Sequence, residues 1–247
     1  MKPFFFGTAE RRLFGIYEPA VAGTSGKRAA ILCYPWGAEY LHAHRTMRQL
    51  ALKLSGAGFH TLRFDFYGTG DSGGELTDVD LIGLEADLET AIEELTEITG
   101  LTKVTLIGLR LGGAIAAGVA SRTCGKIDAL VLWDPVISGP EYLDQLGVIP
   151  NAQPPLEVEG FPLTERMLHG IRGLNLSALT SKYSPHTLML VTERLASHAM
   201  LAPEPAERET GQLPIEFLTD AHPWREESVL FGTVPLSVLQ RILNWLE

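Results

Sequence analysis

Apolar positions along this chain fall into two kinds of run. An unbroken apolar stretch at residues 29–34 reads as a strand covered on both faces, residues 104–109 and 129–134 read as further buried strands, and residues 59–65, 187–192 and 215–218 read as three more. Residues 4–6 and 12–17 alternate, which predicts an antiparallel pair opening the sheet. Between the strands the period changes to three and four. Met47, Leu50, Ala51 and Leu54 mark a helix over about 42–55 that ends at Gly56 and Gly58; Leu81, Leu84, Leu88, Ile92, Leu95 and Ile98 mark another that closes at Gly100. Further helices are predicted at 114–120, 194–201 and 236–246. Alternating strands and helices imply an α/β fold: a mostly parallel eight-stranded sheet with right-handed crossovers and helices on both faces.

The alternation stops once. Residues 137–185 hold prolines at 140, 150, 154, 155 and 162, a predicted helix at 163–173 and no clear strand. A stretch of that length inside a compact domain is usually functional, and it reads as a lid inserted into a core made of residues 1–136 and 186–247.

The most informative stretch is Val104-Thr105-Leu106-Ile107-Gly108-Leu109-Arg110-Leu111-Gly112-Gly113. It predicts a buried strand turning sharply, on glycines, into a small-residue helix, the sequence form of the Gly-x-Ser-x-Gly nucleophile elbow. Arg110 stands where the serine would be. A guanidinium cannot be deprotonated at any useful pH and cannot attack a carbonyl.

Composition narrows the partners. The 247 residues are 45% hydrophobic and 20% charged, with a net charge of −10. That balance argues against a nucleic acid or an anionic membrane as partner, since both need a basic face. The opening Phe4-Phe5-Phe6 run is too short for a signal peptide or a membrane span, so a cytoplasmic protein is expected. Cys33 and Cys124 are too few for a disulfide framework or a zinc cluster and read as free thiols. His42, His44, His60, His169, His186 and His198 show no metal-ligand spacing, and no dinucleotide or phosphate-loop motif is present, so neither metal nor cofactor is expected.

Three stations occur in order: Tyr34-Pro35-Trp36-Gly37 after the third strand, Asp65-x-x-Gly68-x-Gly70-x-Ser72 after the fourth, and Gly108-x-Arg110-x-Gly112 after the fifth. Over nearly the whole length the chain resembles the α/β-hydrolase superfamily. Glu39, Arg45, the Leu62-Arg63-Phe64-Asp65 strand and Gly160-Phe161-Pro162-Leu163-Thr164 narrow the likeness to serine-aminopeptidase-like hydrolases of the exosortase-associated type, some of which also carry arginine at the elbow.

That resemblance implies a set of catalytic parts. The oxyanion donors would be the backbone N–H groups of Leu111 and of Trp36 or Gly37. The family's histidine corresponds to His222, with a structural loop histidine as the competing reading. Its acid usually lies a few residues past the seventh strand, where only Glu193 is available; Asp134, at the tip of the sixth, is the other candidate. Ser72 and Cys33 are weak substitutes for the nucleophile: one sits in a loop that carries serine in ordinary members, the other in an apolar run.

A guanidinium in a partly buried turn needs an anion. Either Glu39, Glu193 or Asp134 closes on Arg110 as an internal pair, or Arg110 offers its two-pronged donor to a ligand carboxylate or phosphate. The internal pair is preferred, because a buried charge needs a partner even without ligand. The chain is therefore expected to be a non-classical or inactive hydrolase homologue with a lidded pocket for a small acyl, ester or carboxylate compound. The alternatives are an active enzyme, in which His222 activates water or performs acid/base chemistry while Arg110 holds the substrate anion, and a protein-interaction module.

Overall fold

The computed structural model describes residues 1–123, 125–176, 186–199 and 215–247, so Cys124, residues 177–185 at the end of the predicted lid and the last two residues of the predicted 194–201 helix lie outside the described residues. Its elements run β1 (Lys2–Gly7), β2 (Arg12–Glu18), β3 (Arg28–Cys33), α1 (Ala38–Gly56), β4 (Phe59–Asp65), a 3-10 turn (Leu76–Asp78), α2 (Leu81–Thr99), β5 (Val104–Leu109), α3 (Leu111–Arg122) and β6 (Ile127–Trp133). The insertion follows, with α4 (Gly139–Gln145), β7 (Leu156–Val158), β8 (Phe161–Leu163) and α5 (Glu165–Gly173). Then come β9 (Thr187–Val191), α6 (Ala196–Ala199), β10 (Ile215–Phe217), α7 (Glu226–Leu230) and α8 (Leu236–Leu246).

Eight strands form one sheet in the order β1-β2-β4-β3-β5-β6-β9-β10. β1 with β2 and β2 with β4 are antiparallel; the remaining pairs are parallel. The unbroken apolar runs exist because each central strand feeds two cores at once. Leu106, Leu130, Leu132 and Met189 point to a cluster shared with α2, α3 and α5, whereas Ile107, Leu109, Val131 and Leu190 point to a cluster shared with α1 and α8.

The strand order reverses direction beside β3. The chain leaves β3 through α1 to β4 on one side and returns through α2 to β5 on the other. The loops after β3 and β5 are thus neighbours at the carboxyl ends of the strands, where open α/β sheets bind ligands. Cys33 pairs with Gly108 at that end.

Local signals explain most boundaries. Asp80 caps α2 by accepting from the Gly83 N–H at 2.8 Å, and Gly100, at φ 70°, ends it. α1 begins at Ala38, four residues before the predicted start, because no capping residue precedes it and the helix springs directly from the β3 loop. The insertion is more regular than expected. Ser138 caps α4, with Pro140 inside its first turn, and Thr164 caps α5. Where no strand was predicted, β7 and β8 form a hairpin turned by Glu159 and Gly160, both at positive φ. α5 packs its Met167, Leu168 and Ile171 into the same core cluster as α3.

Gly112 has no room for a side chain: a Cβ there would stand 2.3 Å from the Tyr34 carbonyl oxygen and 2.4 Å from that of Cys33. Gly112→Ala is accordingly expected to lower the unfolding free energy by about 2–3 kcal/mol or more. Urea unfolding followed by circular dichroism measures it, and an unchanged midpoint would contradict this packing.

Candidate functional site

Arg110 sits between the end of β5 and the start of α3 with φ 54° and ψ −122°, a left-handed conformation that a non-glycine residue holds only under strain. The turn is tight enough that a Cβ at Gly108 would meet the Gly112 carbonyl oxygen at 2.4 Å. The elbow is therefore built as a nucleophile elbow, with a guanidinium at its apex.

That side chain is buried, with 3% of its surface exposed. Nε donates to Glu39 Oε1 at 2.9 Å, and Nη2 donates to Gln145 Oε1 at 2.6 Å. The second Glu39 oxygen accepts from the Tyr142 hydroxyl at 2.9 Å. The guanidinium carbon lies 5.3 Å from the Tyr142 ring centre and 5.2 Å from that of Trp224, within cation–π range of both. Burial acts to lower the Arg110 pKa, but the Glu39 carboxylate beside it outweighs that and raises it. Glu39 lies in the first turn of α1, where a carboxylate is favoured by the helix dipole. Arg110 caps α3 at the end where the dipole disfavours a cation, so the Glu39 contact also offsets that cost.

Among the described residues, Nη1 of Arg110 has no hydrogen-bond acceptor. Arg110 lines a cavity of about 370 Å³ together with Glu39, Gln145, Glu193 and Trp224 among others. The backbone N–H groups of Trp36, Gly37 and Leu111 give no described backbone hydrogen bond; that of Leu111 belongs to the first helical residue, which has no intrahelical acceptor. The insertion reaches this loop as well, since Phe161 of β8 stands edge-on to Trp36 with ring centres 6.3 Å apart.

The two candidate acids part company. Glu193 is ion-paired at 2.6 Å with Arg225 near the surface. Asp134, at φ 39° and 2% exposed, accepts from the Thr192 N–H at 2.7 Å, the Thr192 hydroxyl at 2.8 Å and the Glu193 N–H at 3.3 Å. His222 Nδ1 stands 3.0 Å from that same hydroxyl. Thr192 has one proton and gives it to Asp134, so it accepts from His222 Nδ1–H, and the network assigns Nε2 as the basic nitrogen. Burial first, and the nearby Arg225 next, lower the His222 pKa, which keeps the ring neutral. Burial also raises Asp134 to about 6, against the opposing pull of its hydrogen bonds from Thr192 and Glu193. Thr192 is thus the link between Asp134 and His222, and no sequence motif points to it.

The other early candidates are structural in their contacts. The Ser72 hydroxyl donates to the Asp65 carbonyl at 2.5 Å and accepts from the Phe14 N–H at 2.8 Å. Cys33 is fully buried, and burial pushes its thiol up, away from thiolate. Among the described residues no three His, Cys, Asp or Glu side chains converge as metal ligands, and no helix is long and apolar enough to cross a membrane.

The model of the family described as serine aminopeptidase, S33, matches residues 37–183. Two uncharacterized proteins of Mycobacterium tuberculosis, from strains CDC 1551 / Oshkosh and ATCC 25618 / H37Rv, are 32% identical over 162 residues. That match takes in 63% of this chain, and the chain spans about half (52%) of the length of those relatives. Among solved structures, Est1E from Butyrivibrio proteoclasticus with ferulic acid bound superposes with a TM-score of 0.73 at 18% identity, covering 98% of this chain and 99% of that one. An alpha-beta serine hydrolase homologue from Coxiella burnetii gives 0.64 at 16% identity, covering 100% and 97%. Proline iminopeptidase from Mycobacterium smegmatis gives 0.66 at 10% identity, covering 99% and 97%. At these identities the structural likeness establishes the fold.

Two outcomes follow from the buried charges. Glu39→Gln leaves the guanidinium with a hydrogen-bond acceptor but no counter-charge, and Arg110→Met leaves the buried Glu39 carboxylate unpaired, so each should cost about 3 kcal/mol, whereas the double variant Glu39→Gln/Arg110→Met should cost much less than their sum. Losses in urea unfolding that simply add in the double variant would mean that the two residues stabilise the fold independently of each other. Asp134, raised from 3.8 to about 6, contributes stability that is present below its unfolded pKa and lost as pH rises through 6. Relative to Asp134→Asn, the protein should lose on the order of 2–3 kcal/mol between pH 4 and 7, read from unfolding midpoints across that range.

Proposed function

The chain belongs to the serine aminopeptidase S33 family, on the α/β-hydrolase fold, and from that membership we propose that it is a non-classical member which binds a small molecule in a lidded pocket and does not carry out serine hydrolysis. The observation that carries this reading is the state of Arg110. The apex of the elbow, where an attacking hydroxyl would project, is occupied by a guanidinium held by Glu39, Gln145 and two aromatic faces. An arginine so held can neither be deprotonated nor swing aside for a nucleophile from elsewhere. The insertion supports the lid reading, because α4 supplies Tyr142 and Gln145 to Arg110 and β8 supplies Phe161 to the loop after β3.

A second reading draws on one specific feature. The hydrogen-bonded row His222–Thr192–Asp134 keeps a neutral, oriented imidazole of the kind that can accept a proton from water. Here His222 is the base and the N–H groups of Leu111, Trp36 and Gly37 are the oxyanion donors.

The two readings separate in one assay. Release of p-nitrophenol from short acyl esters should not exceed buffer, with wild type and His222→Ala indistinguishable. Turnover well above buffer that disappears in His222→Ala would replace the binding reading with the water-activating one. Arg110→Ser is expected to remain inactive, because its new hydroxyl would still lack an acid bonded directly to His222.

A further inference from the structure

We propose that Arg63 is the receptor of a small singly charged anion, a halide or a planar oxyanion such as formate or nitrate, held between β4 and α1. This site shares no side chain with the cavity beside Arg110 and does not depend on what that cavity binds.

Arg63 and Arg110 are the buried arginines among the described residues, and Arg63 has 2% of its surface exposed. Arg110 has Glu39; Arg63 has no ion-pair partner among the described residues. Its Nη1 donates to the Tyr34 hydroxyl at 3.2 Å, whereas Nε and Nη2 are sealed from solvent and make no hydrogen bond. Those two nitrogens form one edge of the guanidinium, the fork that grips two oxygens of one anion. The same edge does so elsewhere in this protein. Arg11 Nε and Nη2 hold the two oxygens of Asp87 at 2.5 and 3.0 Å, and those of Arg241 hold the two of Glu216 at 2.6 and 2.5 Å.

The nearby carboxylates are committed elsewhere. Asp65, on the same strand, accepts from the Tyr40 hydroxyl at 2.8 Å and from the Asp71 N–H at 3.0 Å. Glu18 shares the sheet face of Arg63, two residues along the β2–β4 ladder, and its ion-pair partner is the Met1 amine at 2.9 Å. Water on the fork would satisfy its N–H groups and leave the charge uncompensated, and a buried cation without counter-charge is costly. A small anion meets both needs. Because both nitrogens are sealed, only an ion of a few atoms can reach them. The way in is beside α1, where the exposed His44 lies nearly flat on the Tyr34 ring, with centres 5.7 Å apart at 22°. Burial first, and the Arg63 guanidinium next, lower the His44 pKa, which places this imidazole close to Arg63. Tyr34 precedes the Pro35-Trp36-Gly37 loop and Tyr40 follows Glu39, so a bound anion steadies the segment that reaches Arg110.

Thermal unfolding of the intact chain at constant ionic strength tests this, with sodium gluconate replaced stepwise by chloride, bromide, formate or nitrate. At about ten times its dissociation constant the bound anion should raise the midpoint by about 3–5 °C along a saturating curve. A response to the halides alone assigns a halide, and one to formate and nitrate alone a planar oxyanion; either supports the site, as does a response to all four. Arg63→Lys keeps the charge without the fork and should weaken binding about ten-fold or more, whereas Arg241→Lys, at a fork held by Glu216, should leave it unchanged. Crystals soaked in bromide should show an anomalous peak at Arg63 Nε and Nη2. Four anions that act no differently from gluconate, an Arg63→Lys response equal to wild type, or bromide at surface arginines only would each overturn the proposal. So would a midpoint indifferent to anions together with non-additive losses in Glu18→Gln and Arg63→Met, since Glu18 would then be the counter-charge.

Discussion

A buried guanidinium at the most constrained turn of the fold is the fact to which the surrounding residues answer. Arg110 is held at positive φ by glycines that tolerate no side chain, at the helix end least favourable to a cation, and with almost all of its surface buried. Such a charge is tolerable only with a counter-charge at contact distance. Glu39 can supply it because the sheet's switch point brings the first turn of α1 next to the β5 loop. Once Glu39 is there, its second oxygen needs a donor and Arg110 needs a second acceptor. Both come from one face of α4, where Tyr142 and Gln145 lie three residues apart. The charge at the elbow thus fixes the insertion over the sheet end, and substitution of a single residue type has consequences in three separate elements.

The same logic explains what the sequence discloses and what it hides. The sheet was legible, since strands buried on both faces must be largely apolar, as 29–34 is throughout and 104–109 is but for Thr105. The elbow was legible for a steric reason: Gly108 and Gly112 are dictated by backbone contacts that hold whatever occupies the apex. Glu39 could be placed among three candidate partners but no further, because choosing it requires the strand order. Thr192 could not be found at all. Its hydroxyl lies between Asp134 and His222 only because β6 and β9 are neighbours, and a threonine ending a β-branched, apolar strand looks like any other. α4 is a different kind of omission. Ser138-Gly139-Pro140-Glu141 carries a capping serine, a first-turn proline and an early carboxylate, all start signals, but the prolines around it masked them.

The catalytic surroundings are neither intact nor discarded. The backbone N–H groups of Leu111, Trp36 and Gly37 are by-products of the elbow and of the α1 start, so their positions do not depend on which side chain stands at residue 110. His222 remains oriented, but through a hydroxyl, so a proton taken up by the ring would be separated from the Asp134 charge by Thr192. Asp134 itself, raised to about 6, gives weaker electrostatic support than a fully ionised acid in direct contact.

The charge around the cavity has also moved in a consistent direction. A serine hydrolase develops negative charge at the elbow during reaction and benefits from donors that stay unneutralised until then. Here both guanidinium groups of the cavity are neutralised, Arg110 by Glu39 and Arg225 by Glu193, and Glu159, Glu226 and Glu227, with no ion pair among the described residues, line the same space. An environment so arranged works against an oxyanion and favours positive charge. The elbow's strain, which in a hydrolase positions a nucleophile, here positions an internal ion pair.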